Sequence, residues 1–312
     1  MNKPLIIIAG PTACGKTSVS VKLAKLIDGE IISADSMQVY KYMDIGTAKI
    51  TPEETEGIPH YMIDELYPDE EFSVAVFQQK AKNYIEKIHA KGKIPILVGG
   101  TGFYINALIY NNDFSEEQDT KERVELQKIY NEKGKDYIFN MLKTVDPESA
   151  EKIHPNNIKK VIRALEFYKQ TGKKISQHNI EEKQREAFYD VSFFVLNMDR
   201  NLLYNRINQR IDIMLKNGLL KEVSSLLEKY SPELVSMQGL GYKEFIPYFN
   251  NQCSLDDAIE ILKRDTRHFA KRQLTWFKHQ CHGTWINVDQ FENSQKTAEY
   301  INKIILEKKH EC

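Results

Sequence analysis

Five consecutive apolar residues, Leu5-Ile6-Ile7-Ile8-Ala9, run directly into Gly10-Pro11-Thr12-Ala13-Cys14-Gly15-Lys16-Thr17. A continuous apolar run of this length suits a strand buried on both faces of a parallel sheet. The octapeptide after it has the spacing G-x-x-x-x-G-K-[ST], in which glycines let consecutive backbone N–H groups turn inward around phosphate oxygens. A helix expected from Lys16 to Ile27 adds the positive end of its dipole, Lys16 adds a full charge, and the Thr17 hydroxyl can ligate Mg²⁺. Strand, phosphate loop and helix in that order commit the chain to an α/β fold, P-loop-type and doubly wound, with a mainly parallel sheet. What hangs from the phosphates stays open. A nucleoside diphosphate and an isoprenoid diphosphate look alike to backbone N–H groups, so the loop by itself suggests a kinase. Cys14 sits at a helix N-terminus, where thiol pKa values fall, but its simplest reading is a small side chain that fits a tight loop.

Strand and helix then alternate. Glu30 to Ala34 and Ile94 to Val98 read as further buried strands, with a helix from Phe72 to Ala90 between them. The third strand leads into Gly99-Gly100-Thr101-Gly102. From about Asn111 the pattern becomes helical and charged, and no further strand is legible until Val191 to Leu196. The expected organisation is therefore a first part of the core over 1–110, a helical insertion domain over 111–189, and a second part of the core with C-terminal helices over 190–312. In that last part a long helical pattern runs from about Asn201 to Tyr230 and another from Leu255 to about Lys278, before a short strand near Thr284 to Val288. A chain of 312 residues suits two domains at about 150 residues each.

Bulk charge excludes little. Lys and Arg number 43 against 44 Asp and Glu, so a nucleic-acid partner has to be met by local basic patches. Cys14, Cys253, Cys281 and Cys312 lie far apart, which argues against a disulfide framework and for a reducing, cytoplasmic setting. The apolar run at Leu5 to Ala9 is far below the roughly 20 residues of a membrane span, so no anchor or membrane partner is expected. His279, Cys281 and His282 lack a second pair at zinc-finger spacing and do not read as a metal site.

In open α/β sheets, ligands bind beyond the carboxyl ends of the strands. Asp35, just after the second strand, should therefore face the phosphates, either as a Mg²⁺ contact or as a general base, or else simply cap a turn. Thr101 follows the third strand by the same rule, between glycines that admit close approach, and either its hydroxyl donates to a leaving oxygen or the loop is only a turn.

These stretches carry a family resemblance. Gly10 to Thr17, then Asp35-Ser36-Met37-Gln38-Val39-Tyr40 leading to Asp44-Ile45-Gly46-Thr47-Ala48-Lys49, then Gly99-Gly100-Thr101-Gly102-Phe103-Tyr104, resemble in order and spacing the signatures of the bacterial tRNA dimethylallyltransferases. P-loop kinases do not share the stretch from Asp35 to Lys49, and the resemblance continues to about Lys278. It implies transfer of a dimethylallyl group from dimethylallyl diphosphate to N6 of the adenosine 3′-adjacent to the anticodon, with Mg²⁺ as cofactor, the tRNA anticodon arm as partner and a monomeric enzyme. It implies Asp35 as general base, Thr101 as donor to the leaving diphosphate, and Lys16 and Arg210 as its cationic contacts.

The resemblance also implies tRNA contacts at Asp35, Ser36, Met37 and Gln38, and at Lys159, Lys160, Val161, Ile162 and Arg163. Two further contact segments are Gln238-Gly239-Leu240-Gly241-Tyr242-Lys243 and Lys271-Arg272-Gln273-Leu274-Thr275-Trp276-Phe277-Lys278. The residues alone support part of this. Arg206 and Arg210 lie one helical turn apart on one face. From Lys263 to Lys278 the helical spacing puts Arg264, Arg267, His268, Lys271 and Lys278 on one side and Leu262, Phe269 and Trp276 on the other, the footprint expected for a phosphate backbone. In the insertion, Ile158, Val161, Ile162 and Leu165 form an expected buried face, leaving Lys159, Lys160 and Arg163 outward. The competing readings are a prenyltransferase acting on free AMP or ATP, a P-loop kinase, and a tRNA-binding module without chemistry.

Overall fold

The computed structural model describes residues 3–112, 120–183 and 187–310. Six strands form one sheet: β1 (Pro4–Ala9), β2 (Gly29–Ser33), β3 (His60–Tyr61), β4 (Ile94–Gly99), β5 (Asp190–Asn197) and β6 (Thr284–Asn287). Their spatial order is β3-β2-β4-β1-β5-β6, and every pair is parallel. Ile8 lies opposite Val98 on one side and Phe194 on the other, so β1 is the strand at which the chain's direction of progress across the sheet reverses. Burial on both faces explains its unbroken Leu5 to Ala9 run, which is enclosed throughout. β3 has only two residues, too few to leave a periodic signature in the sequence.

Parallel strands bring their carboxyl ends to one edge. The loop after β1, Asp35 after β2, Thr101 after β4 and Arg200 after β5 are gathered there by topology alone. The helices differ from the sequence expectation in three places. The pattern from Asn201 to Tyr230 is two helices, Arg200–Lys216 and Leu219–Leu227, parted at Gly218, whose φ of 100° is readily available only to glycine. The helix expected from Phe72 begins at Val74, because Ser73 caps it by accepting the Val76 N–H. A helix not anticipated, Ser294–His310, packs on Lys16–Ile27 and buries Ala298 and Ile301.

The chain divides into two compact units, one made of Met1–Asn111 with Phe188–Cys312 and the other of Asn112–Ala187. The second unit is helical, with a core of Leu126, Ile138, Phe139, Leu142, Val161, Ile162, Ala164 and Leu165. Two buried carboxylates stitch it. Asp146 accepts the N–H and hydroxyl of both Ser149 and Ser176, at 2.7 to 3.1 Å. Glu166 accepts the Thr120 hydroxyl at 2.6 Å and the Arg123 guanidinium at 3.0 and 3.1 Å. Among the described residues no helix is long and apolar enough to cross a membrane, and no three His, Cys, Asp or Glu cluster as metal ligands. Cys14, Cys253 and Cys281 are unpaired, while Cys312 lies outside the described residues.

Candidate active site

The loop after β1 is shaped by positive φ values at Gly10 (146°), Ala13 (62°) and Gly15 (90°). Gly10 has no alternative, because a Cβ there would lie 2.5 Å from the Leu196 carbonyl of β5. Lys16 Nζ donates to the Gly10 and Pro11 carbonyls at 3.0 and 2.7 Å, so the loop curls over its own ammonium. Burial draws the Lys16 pKa down and Arg210 acts in the same direction, while Cys14 and Asp35 oppose them. That set of neighbours is informative. It places an acid from the end of β2 and a guanidinium from Arg200–Lys216 within electrostatic reach of one ammonium.

Asp35 Oδ1 accepts the Met37 N–H at 2.9 Å, so the carboxylate does close a turn. Its other relations go beyond capping. Burial raises its pKa, and the Met37 and Gln38 N–H groups and Lys16 pull it back without reversing the shift. The result is a fixed carboxylate with an enhanced affinity for a proton, beside a phosphate loop. Thr101 precedes the helix Gly102–Ile109, and its side chain makes no capping bond, so the hydroxyl is not spent on the helix. Arg210 is held below its usual pKa, chiefly by burial, with Cys14 raising it and Arg206 lowering it. Arg200 instead stacks on Tyr204, 5.2 Å from the ring centroid, and Arg206 is exposed.

The segments expected to touch tRNA divide between surface and interior. Lys159 and Lys160 are exposed, but Val161 and Ile162 are core residues, and Arg163 lies 3.7 Å from Glu166. Lys271, Arg272 and Lys278 are exposed, whereas Gln273 and Phe277 are buried. The inward face of helix Leu255–Gln280 is Ala258, Leu262, Ala270, Gln273 and Phe277, with Phe269 only half-buried, so the apolar stripe is turned from the expected Leu262-Phe269-Trp276 line. The basic stripe is thinner than expected. Arg264 pairs with Asp265 at 2.9 Å and Arg267 donates to Asn208 at 2.8 Å. Gln238 and Lys243 are exposed, while Gly241 and Tyr242 are enclosed. The buried side chains among them hold these segments in place.

Two groups organise the site, Glu222, which the sequence expectation lacks, and Gln273, which it places only in an RNA-contacting stretch. Glu222 accepts the N–H groups of Asp44, Ile45 and Gly46 at 2.8 to 3.0 Å and the Tyr242 hydroxyl at 2.8 Å. Gly46 lies so close to the Tyr242 ring that a Cβ would come within 2.5 Å of it. Lys49 Nζ bridges Asp44 and Asp64 and donates to the Tyr40 carbonyl at 2.8 Å. The stretch Asp44 to Lys49 is thus a latch, and Gln38 joins it by donating to the Thr47 carbonyl at 3.3 Å while accepting the Ser33 hydroxyl. Met37 abuts Gly239. The second group is Gln273, whose amide lies between two loops: its Oε1 accepts the Thr12 N–H, and its Nε2 donates to the Gly100 carbonyl, both at 3.0 Å. Glu222 carries no motif, and only the folded contacts reveal its role and the bridging role of Gln273.

A parallel sheet with a phosphate-binding loop at its reversal point, a threonine after the adjacent strand and an acid after the next one defines a P-loop α/β enzyme. Comparison with known proteins narrows the class. The family described as IPP transferase matches residues 38–280. A tRNA dimethylallyltransferase of Lachnoclostridium phytofermentans is 53% identical over 308 residues, 98% of each chain. The crystal structure of the full-length tRNA isopentenylpyrophosphate transferase from Bacillus halodurans superposes with a TM-score of 0.76 at 43% identity, covering 100% of this chain and 99% of that one. A eukaryotic dimethylallyltransferase captured in crystallographic snapshots acting on tRNA gives 0.83 at 35% identity, over 98% of this chain and 80% of its own. The chain belongs to the IPP transferase family.

Proposed function

We propose that this protein transfers the dimethylallyl group from dimethylallyl diphosphate to N6 of the adenosine 3′-adjacent to a tRNA anticodon, releasing diphosphate, in the cytoplasm. The observation that carries the chemistry is the half-buried, proton-avid Asp35 beside Lys16 of the phosphate loop. An exocyclic adenine amine is a weak nucleophile because its lone pair is delocalised into the ring. A carboxylate that takes its proton as the N–C bond forms removes the developing positive charge. On the other side of the reacting carbon, the C–O bond to diphosphate breaks, and the departing charge has to be met by fixed donors. The loop N–H groups, Lys16, the Thr101 hydroxyl and Arg210 are suited to meet it.

Mg²⁺ fits the residues present. With no cluster of three acidic, His or Cys ligands among the described residues, the ion would take one ligand from the exposed Thr17 hydroxyl and the rest from diphosphate and water, its common mode on phosphates. Its contribution there is to neutralise part of the leaving-group charge.

The target base has to leave its stack, at a cost of a few kcal/mol that remote backbone contacts can offset. The exposed cations Lys271, Arg272 and Lys278, with Lys159 and Lys160 in the helical unit, are the groups we assign to that grip. The test supplies radiolabelled dimethylallyl diphosphate, Mg²⁺ and an unmodified tRNA with adenosine after its anticodon, with AMP and ATP as alternative acceptors. Label in the tRNA nucleoside, reduced roughly 100-fold or more in Asp35→Ala, is the expected result. Label only in AMP or ATP, or ATP turnover without label, overturns the assignment.

A further inference from the structure

The helix Leu255–Gln280 has a second task on its inner face. Gln273 is only 8% exposed, and its amide accepts at one end and donates at the other, between two backbones that follow different strands. Thr12 belongs to the loop after β1, and Gly100 to the loop after β4. A Cβ on Gly100 would fall 2.1 Å from Gln273 Nε2, and a Cβ on Gly102 would fall 2.1 Å from the Trp276 ring. Thr101 therefore sits between two glycines, each covered by a side chain one helical turn apart on the same helix. The Thr12 N–H is occupied by Gln273, which removes it from the donors available to phosphate and fixes the loop's curvature.

We propose that Gln273 is a positioning residue: it locks the phosphate loop and the Thr101 loop into one diphosphate cradle, acting through Thr12 and Gly100 without touching either substrate. The idea rests on the transfer reaction proposed above. An amide of this length is the group that satisfies both partners, since it accepts at one end and donates at the other. A carboxylate would set an oxygen against the Gly100 carbonyl, and an aliphatic side chain would leave a buried N–H and a buried C=O unpaired. The sequence assigns Gln273 to an RNA-contacting stretch, but its burial separates it from its neighbours Lys271 and Arg272, which are exposed.

Gln273→Glu and Gln273→Leu test this in the full chain. Single-turnover transfer at saturating tRNA should fall on the order of 100-fold, the typical effect of a misplaced reacting group. Calorimetric titration with inorganic diphosphate should show weakened binding, while tRNA affinity by filter binding stays within about twofold. Lys271→Ala should do the reverse, weakening tRNA binding and leaving the diphosphate titration unchanged. If Gln273→Leu does not melt cooperatively, Gln273→Glu, which keeps the bond to Thr12, carries the comparison. The proposal is overturned if both variants transfer at the wild-type rate, or if their loss lies in tRNA affinity with diphosphate binding intact. Absence of transfer by the wild type would sink the reaction instead, and the diphosphate titration would still judge the tie.

Discussion

Stability and the base role proposed for Asp35 pull against each other. Its folded pKa is raised chiefly by burial, so the carboxylate binds its proton more tightly in the fold than in the unfolded chain. Stability from this group is greatest below the ordinary aspartate value of about 3.9 and declines as pH rises through the interval up to the folded pKa. Asp35→Asn should consequently raise the melting temperature of the ligand-free protein at neutral pH while abolishing transfer, and a lowered melting temperature would refute the sign. The same shift sets the acid limb of kcat/KM above the ordinary carboxylate range, because the base form is lost sooner as pH falls. A limb at or below that range would remove Asp35 as the base. At this scale the sequence is generous where chemistry has its own spelling. Gly10 to Thr17, Asp35 and Thr101 stand next to strand ends that hydropathy reveals, so their convergence follows from parallel topology. Glu222 has no spelling, since an isolated Glu on a helix looks like any solvated side chain until its backbone partners arrive from more than 170 residues away, and Gln273 reads only as part of an RNA-contacting stretch until its own distant partners arrive.

Helices were legible as segments and less so in their facing. Leu255–Gln280 extends the expected span by two residues, yet its buried line includes a glutamine, because two good hydrogen bonds make a polar side chain acceptable in the interior. Gly218 split another expected helix because a glycine inside a helical pattern is ambiguous between tolerance and termination. In the helical unit, Asp146 is buried, which pushes its pKa up, but four donors from Ser176 and Ser149 outweigh that and hold it low. Its contribution is present above the unfolded carboxyl pKa and is lost as pH falls through the depressed folded value. Asp146→Ala should cost about 3 kcal/mol by leaving buried donors unpaired. Urea unfolding of the full chain followed by a probe in residues 120–183 would check it, and a loss below about 1 kcal/mol would show that water replaces the carboxylate.

For the molecule as a whole, near-zero net charge and an RNA substrate are reconciled by placement. Lys271, Arg272 and Lys278 are exposed along one helix and Lys159 and Lys160 on a helix of the helical unit, while cations such as Lys22, Lys80 and Lys263 are engaged by neighbouring acids. Affinity for tRNA should therefore fall linearly with salt on logarithmic axes, and removing Lys271 and Arg272 together should reduce that slope by about 1 to 2. An unchanged slope would place the backbone contacts elsewhere. The discontinuity of the sheet also reaches back to the ribosome. β1 emerges well before its partner β5, which lies nearly two hundred residues downstream, and the helix Ser294–His310 that packs on Lys16–Ile27 lies later still. The helical unit between them needs only its own residues for its core. During synthesis every residue of the helical unit is made before β5 and β6, so the sheet that carries the phosphate loop can be completed only after them.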